Sequence, residues 1–317
     1  MGAIHGLTQA TEMLAALALA PLFIGWITIC RAWLQNRTAP GILQPYRTIH
    51  KLFHKDAVLA GNASPLFRAA PYVVFGAMTC AAGIIPSMGT RLPFSDAADA
   101  IALVGLLATA RVFMSLAAMD VGTAFGTLGA RREMMIGFLA EPALLMVIFV
   151  ASLLSSSTAL PSISDSLATR ALALYPSLAF TAVAFVLVLL AENARIPVDN
   201  PATHLELTMI HEAMLLEYSA RHLALMEWAA ALKLFNYACI GFALFLPWGV
   251  VTTDVETPFA LLAAIPILLA KLALAGVALA VLETVSAKLR VFRAPEFLAT
   301  AFLLAVLGLL VHLLLGA

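Results

Sequence analysis

Long apolar segments separated by short polar ones recur along the whole 317-residue chain. A helix that crosses a bilayer needs about 20 apolar residues, so the pattern predicts an all-α integral membrane protein with a single transmembrane domain spanning residues 1–317. No soluble domain fits between these segments. We expect eight transmembrane helices, over residues 10–31, 68–88, 97–118, 134–155, 171–192, 224–248, 258–283 and 295–316.

Composition supports the same class. Hydrophobic residues make up 62% of the chain and charged residues only 11%, which no soluble domain approaches. The formal net charge is zero, so nothing neutralises a phosphate backbone and nucleic acid is excluded as a partner. Cys30, Cys80 and Cys239 are far apart in sequence, and these thiols alone build neither an iron–sulfur cluster nor a zinc site.

The distribution of basic residues predicts the orientation. Most Lys and Arg residues lie in the loops after the first, third, fifth and seventh spans, whereas the opposite loops hold only Arg91 and Arg170. Cytoplasmic loops carry an excess of Lys and Arg. We therefore expect both termini on the outer, periplasmic side of the cell (inner) membrane.

The first of these basic loops has a structure of its own, predicted as an amphipathic helix within residues 40–57. Its apolar residues recur at helical spacing, with basic residues on the other faces. They are Tyr46, Ile49, Leu52 and Phe53. Such a helix either lies on the anionic inner leaflet or forms the wall of a ligand cavity or a docking surface for a cytoplasmic partner.

The segment 120–133 contains several glycines but lacks the Lys-Ser/Thr of a phosphate-binding loop, so we do not expect a nucleotide site. It is predicted to be a flexible turn in which Thr127 caps the next helix and Arg131 and Arg132 lie at the membrane surface. Glu141 follows about two turns inside an apolar span. A carboxylate there is costly, which indicates either function or a hydrogen bond to a neighbouring helix.

Other ionisable residues also fall within or beside the predicted spans. Static ion pairs inside the bundle compete with any functional role for each of them. Glu283 and Lys271 lie near helix ends and are expected to extend their charged groups to the interface. The remaining residues of this set are Arg111, Glu227 and Lys233.

Polar residues are densest over 192–222, an acidic loop or helix predicted at the cytoplasmic surface. Its spacing places Glu206 with Glu217, and His204 with His211, on shared helical faces. His211-Glu212 lacks the second histidine of a zinc protease motif, and we expect no metal site. A proton relay needs carboxylates tuned by burial and neighbouring charge. The segment supplies them as Glu192, Asp199, Glu206, Glu212 and Glu217 beside Arg195 and Arg221.

These residues resemble the subunit-1 family of respiratory complex I and, more closely, its relatives in the membrane arms of group 4 NiFe hydrogenases, including formate hydrogenlyase and hydrogenase-4. The resemblance spans the chain and is most specific between Glu192 and Tyr218. It also includes Gly41-Ile42-Leu43-Gln44-Pro45, Gly129-Ala130-Arg131-Arg132-Glu133-Met134-Met135 and Ala140-Glu141-Pro142-Ala143-Leu144-Leu145.

The resemblance implies a non-catalytic, eight-helix subunit docked under a peripheral redox arm, which links electron transfer there to ion translocation. Its acids form a path from the redox interface into the membrane, and the positions that match or extend this path are Glu141, Glu192, Asp199, Glu206, Glu212 and Glu217. Arg195 matches a basic residue at the start of the path. We expect Arg131, Arg132, Arg221, His204 and His211 to serve the interface electrostatically.

The implied partners are hydrogenase large and small, or iron–sulfur, subunits on the cytoplasmic face and antiporter-like membrane subunits. The NiFe centre and the iron–sulfur clusters are expected in those partners, and no cofactor in this chain. The quinone-reducing branch tends to carry an aromatic residue before the aspartate, whereas this chain has Ile196-Pro197-Val198-Asp199. That difference puts quinone binding in doubt.

Three alternatives remain open on the sequence. The first alternative is the quinone-site subunit of a complex I NADH:quinone oxidoreductase, in which the first-loop helix forms a wall of the quinone chamber. A stand-alone secondary transporter is disfavoured, because the chain has no internal repeat. A passive anchor, whose acids only bind the peripheral subunits, is the third.

Overall fold

The computed structural model describes residues 2–90, 92–93, 99–169, 176–199, 209–251, 258–287, 289 and 293–315. Regular structure in these ranges is helical, apart from an isolated bridge between Gly89 and Val251. The predicted all-α membrane fold is confirmed. The helices are α1 (Gly2–Leu34), α2 (Gln44–Phe53), α3 (Pro65–Ile84), α4 (Ala100–Asp120), α5 (Ala124–Ser155), α6 (Leu160–Thr169), α7 (Pro176–Glu192), α8 (His211–Leu215), α9 (Ala220–Phe245), α10 (Pro258–Val285) and α11 (Ala294–Leu315).

Seven of the described helices are long and apolar enough to cross a membrane: α1, α3, α4, α5, α9, α10 and α11. The predicted count of eight is not confirmed. The span predicted over 171–192 corresponds to α7, an apolar helix of 17 residues, and residues 170–175 before it lie outside the described ranges.

The helices form a bundle with α9 at its centre, in contact with α1, α2, α3 and α7. α4 packs between α3 and α5, α11 packs on α5 and α7, and α10 packs on α1. Of the window that defines each span, 72% is buried in α9 but only 22% in α11. Lys233 of α9 is therefore buried in the protein interior rather than facing the lipid.

The helix predicted in the first loop is present as α2, shorter than the 40–57 expected. Pro45 is in its first turn, where a missing amide costs no hydrogen bond. Ile49 and Leu52 are buried against Ala224 of α9, whereas Phe53 is exposed. The apolar face thus rests on the protein itself.

The glycine-containing segment 120–133 is not a flexible turn. Thr123, rather than Thr127, caps the helix by accepting a hydrogen bond from the amide of Gly126, and α5 runs on without interruption. A Cβ at Gly129 would lie 2.8 Å from the carbonyl oxygen of Ile210 and 3.0 Å from Ala213 Cβ. Glycine is needed here because α8 packs directly on α5.

The acidic segment is also less regular than its spacing predicts. α8 ends at Leu215, and Leu216–Ser219 separate it from α9. The prediction that Glu217 shares a helix face with Glu206 is therefore wrong, and so is the one that joins His204 to His211, since Met209 and Ile210 are not helical. Glu206 and His204 themselves lie outside the described residues.

Candidate functional site

A buried cluster of charged residues lies in the middle of the bundle around Arg111 of α4. Only 4% of the Arg111 side chain is exposed. Its guanidinium donates hydrogen bonds to Glu141 of α5 and Glu192 of α7, and Nε lies 3.6 Å from Oε1 of Glu133. One arginine thus joins carboxylates from two other helices.

The spacing of residues on α5 explains how the guanidinium fits. Glu133, Gly137 and Glu141 follow one another at intervals of four residues and share one face of the helix. A Cβ at Gly137 would lie 2.5 Å from Nη1 of Arg111. The guanidinium therefore occupies the space that any side chain at position 137 would need.

Lys233 and His211 complete the cluster. Nζ of Lys233, on α9, lies 3.0 Å from Oε2 of Glu192. Nδ1 of His211, at the start of α8, lies 3.4 Å from Oε2 of Glu133. The carboxylates of Glu133, Glu141 and Glu192 thus face two fixed cations, Arg111 and Lys233. Burial favours overall neutrality, so one more proton on the cluster balances the charge.

A second set of ion pairs lies where α1 and α10 end. Glu283 of α10 is paired with Arg195 at 3.0 Å and with Arg31 of α1 at 3.6 Å, and its side chain is 2% exposed. The expectation that Glu283 extends to the interface is therefore wrong. Lys271 is half-buried, and its ammonium donates to the carbonyl oxygen of Leu246, just past the end of α9, at 2.6 Å, so its expected position near the interface stays a prediction.

A cavity of about 390 Å³ lies between α1, α2, α8 and α9. Ile24 and Gly25 of α1 and Pro45 and Ile49 of α2 form apolar parts of its wall. The first-loop helix is therefore the wall of a cavity, one of the two roles that its sequence allows. The polar residues on the lining are Thr28, Arg31, Gln44, Thr48, Asn193, Arg195, His211, Glu212, Glu227 and Lys233.

A smaller cavity of about 30 Å³ lies deeper, between α3, α4, α8 and α9. Arg111, His211 and Lys233 are its charged or titratable lining residues. His211 and Lys233 also line the large cavity. Together with Leu215 and Ala230, which also line both cavities, these two side chains lie between the large cavity and the interior space beside Arg111.

The acids predicted for the proton path have different surroundings. Glu192 belongs to the buried cluster, and Glu141 joins it with 33% of its side chain exposed. Asp199 is buried and accepts a hydrogen bond from the amide of His211 at 3.4 Å. Glu212 lines the large cavity, and Glu217 is half-buried beyond α8. Their role in a proton path stays a prediction.

The predicted interface residues also divide. Arg131 and Arg221 are exposed. Arg132 donates to the carbonyl oxygen of Met209 at 2.8 Å, which fixes the chain just before α8. Arg195 is held by Glu283 at the rim of the large cavity, and His211 contacts the buried cluster.

Sequence reasoning missed several members of the site. The sequence marks Arg111 and Lys233 only as costly intramembrane charges, and it predicts Glu133 in a turn. The available signal was the recurrence of Glu133, Gly137 and Glu141 on one face of α5. A further buried acid, Glu12 of α1, accepts from the amide of Gly89 at 2.7 Å and so fixes the loop after α3.

Tyr218 anchors the chain between α8 and α9. Its ring stacks on Phe67 at a centroid distance of 4.1 Å, and its hydroxyl donates to the carbonyl oxygen of Phe67 at 3.1 Å. Burial, with a smaller contribution from the carboxylate of Asp120, raises the pKa of Tyr218 above its usual range. The phenol is therefore neutral and holds α9 to α3.

Comparison with known proteins adds the following. The family model described as NADH dehydrogenase matches residues 8–314. Formate hydrogenlyase subunit 4 of Escherichia coli (strain K12) is 33% identical over 302 residues, which cover 95% of this chain and 96% of that protein. Hydrogenase-4 component C of the same organism is 38% identical over 247 residues, 78% of this chain and 76% of that protein.

Among solved structures, similarity extends to a chain of the membrane-bound sulfane sulfur reductase (MBS), an archaeal respiratory membrane complex. The two superpose with a TM-score of 0.81 at 19% sequence identity, covering 97% of this chain and 98% of that chain. At this identity the likeness shows the fold alone.

Proposed function

Because the chain belongs to the NADH dehydrogenase family, the subunit-1 family of respiratory complex I, we propose that it is the membrane anchor and proton-conducting coupling subunit of a group 4 NiFe hydrogenase or formate hydrogenlyase-like complex. The named relatives, a formate hydrogenlyase subunit and a hydrogenase-4 component, support the hydrogenase side of the family. In this proposal electron transfer takes place in partner subunits, and this chain conveys its effect to ion movement.

The buried cluster carries the proposal. Ionisable groups at bilayer depth are expensive, and they persist where a path for ions or protons needs them. Glu133, Glu141 and Glu192 hold one more negative charge than Arg111 and Lys233 balance. A cluster of this kind binds and releases a proton at low cost, because either state is within one charge of neutrality.

In this proposal Arg111 couples the protonation of Glu141 to that of Glu192. Its guanidinium is shared between Glu141 and Glu192, so protonation of one carboxylate strengthens its attraction to the other. A change of charge at the redox interface shifts this balance through the proton affinities of the acids. The proton thereby moves from the cavity side of the bundle towards Glu141.

The partners follow from the orientation. The Lys- and Arg-rich loops face the cytoplasm of a cell with this chain in its inner membrane, and the termini face the periplasm. Hydrogenase large and iron–sulfur subunits, which hold the NiFe centre and the clusters, dock at the cytoplasmic face beside Arg131 and Arg221. The partly exposed Glu141 lies on the same face of α5 as the exposed Phe138 and Leu145. In this proposal an antiporter-like membrane subunit binds that face.

The test is Glu141→Gln in the assembled complex, reconstituted in liposomes. The variant is expected to evolve hydrogen while translocating fewer protons per hydrogen, because the amide accepts no proton. Glu296→Gln is the matched control, since Glu296 is exposed at the start of α11. Unchanged stoichiometry in both variants would make the chain a passive anchor.

The cavity of about 390 Å³ favours a second candidate function, the quinone-site subunit of a complex I NADH:quinone oxidoreductase. Its volume is in the range of small-molecule sites. Isolation of the complex in mild detergent separates the two functions. Nickel with a hydrogenase-like large subunit supports the first, whereas flavin, quinone and NADH-oxidising subunits support the second.

A further inference from the structure

His211 is one of two titratable residues of the cluster that line both cavities, and the other is Lys233. His211 lines the large cavity together with Glu212, and it lines the small cavity beside Arg111. Its side chain is 15% exposed, whereas that of Glu133, its neighbour, is 3% exposed. The imidazole thus stands between the accessible cavity and the buried carboxylates.

We propose that His211 passes protons between the large cavity and Glu133. This role rests on the proposed function, and it extends that function by naming the residue through which protons reach the buried cluster. In each step Nε2 takes a proton from a hydronium ion in the cavity, so that an O–H bond breaks, an N–H bond forms and a neutral water molecule remains. The N–H bond at Nδ1 then breaks as its proton moves to Oε2 of Glu133 and forms an O–H bond there, and exchange of the remaining ring proton from Nε2 to Nδ1 through water restores the starting tautomer.

The geometry at Glu133 suits such a transfer. Nδ1 lies 3.4 Å from Oε2 of Glu133, yet among the described residues it makes no hydrogen bond of acceptable geometry. A contact that is close but not yet aligned shortens when the imidazole becomes charged. The carboxylate of Glu133 is therefore placed to receive the proton from His211.

The small cavity supports the same route. Its volume of about 30 Å³ is large enough to hold a water molecule. Nε of Arg111 and Nδ1 of His211 are both buried without a hydrogen-bond partner among the described residues. Polar groups of this kind, around a space of this size, are the setting in which buried water binds.

Lys233 lines both cavities as well but does not suit the role. Its ammonium is engaged by Glu192 at 3.0 Å. A charged ammonium offers only donors, whereas imidazole offers a donor and an acceptor on opposite sides of the ring. The groups that set the charge around His211 are Glu133 of α5, Arg111 of α4, Lys233 and Glu227 of α9, Asp199 and Glu212.

The experiment uses the assembled complex in liposomes. His211→Gln is expected to slow proton translocation at least about 100-fold, because a positioned proton-transfer group contributes about 100- to 10,000-fold, while hydrogen evolution continues. His222→Gln is the matched control, because His222 is a buried histidine of α9 that lines neither cavity. It should translocate protons at the wild-type rate.

Chemical rescue separates proton transfer from a structural role. Added imidazole, which fits a cavity of about 390 Å³, should restore proton translocation to His211→Ala. Pyrazole has the same shape but is a much weaker base, and it should not. Restoration by both compounds, or by neither, would overturn the proposal, since the ring would then only fill space or hold α8.

The outcomes also distinguish this inference from the proposed function. If His211→Gln translocates protons at the wild-type rate while Glu141→Gln translocates fewer protons per hydrogen, only the role of His211 is refuted and the proposed function stands. Wild-type stoichiometry in Glu141→Gln would refute the proton path, and the role of His211 with it.

Discussion

Replacing Gly137 by alanine is expected to displace the guanidinium of Arg111. The new Cβ would lie 2.5 Å from Nη1 and 2.6 Å from Cδ of that side chain. Real Cβ atoms do not approach other atoms so closely, and the guanidinium is not free to turn aside because Glu141 and Glu192 hold it. The strain therefore falls on the hydrogen bonds of the cluster.

Gly105→Ala on α4 allows the magnitude to be isolated, because a Cβ at Gly105 meets no atom within 4 Å. Both changes gain about 1 kcal/mol of helix propensity, which cancels in the comparison. Overpacking a filled site costs about 1–3 kcal/mol. Gly137→Ala should therefore be less stable than Gly105→Ala by about 1–3 kcal/mol.

Thermal unfolding of the complex in mild detergent measures this difference, and liposome assays measure proton translocation per hydrogen evolved. Gly137→Ala should lower both quantities and Gly105→Ala neither. Equal stability of the two variants, with an unchanged number of protons translocated per hydrogen in both, would refute the reasoning that the Arg111 guanidinium packs directly on Gly137.

Three further predictions follow from the same structure. Arg111→Met should destabilise the protein by about 3–5 kcal/mol, because it leaves buried carboxylates unpaired. Adding Glu192→Gln should recover part of that loss in thermal unfolding. Strictly additive effects of the two substitutions would contradict the pairing of Arg111 with Glu192. Gly25→Ala places a Cβ 2.2 Å from the backbone oxygen of Ile42, so the first loop should move away and be cut faster by protease, whereas unchanged cleavage would argue against this contact. Burial raises the pKa of Tyr218, so its contribution to stability is present below the ordinary value of 10.0 and lost as pH rises towards the raised pKa. Tyr218→Phe should accordingly flatten the alkaline loss of stability, and an unaltered profile would show that another group causes it.

The class of the protein and much of its topology followed from the sequence alone. Membrane spans are long, uniformly apolar and locally encoded, because lipid requires every backbone group to be satisfied within the helix. The amphipathic helix α2 could be predicted for the same reason, since Ile49 and Leu52 recur at helical spacing. The family resemblance pointed to Glu141 and Glu192 before any contact was known.

The tertiary structure decided which charges belong together. Arg111, Glu133, Glu192 and Lys233 come from four different helices, and no local pattern encodes the packing that brings them within reach of one another. Helix limits near the site were also set by packing. Gly129 accepts the close approach of α8, so the segment expected to be a turn is helical.

His211 also shows what the sequence determines and what only the tertiary structure determines. Its sequence context marked it as polar and near acids, but only the packing of α8 between two cavities gives it access to both. Sequence determines which side chains are able to carry a proton, because ionisable groups are rare in apolar segments. Tertiary structure determines the path, because proton transfer depends on distances of a few ångströms between residues remote in the chain.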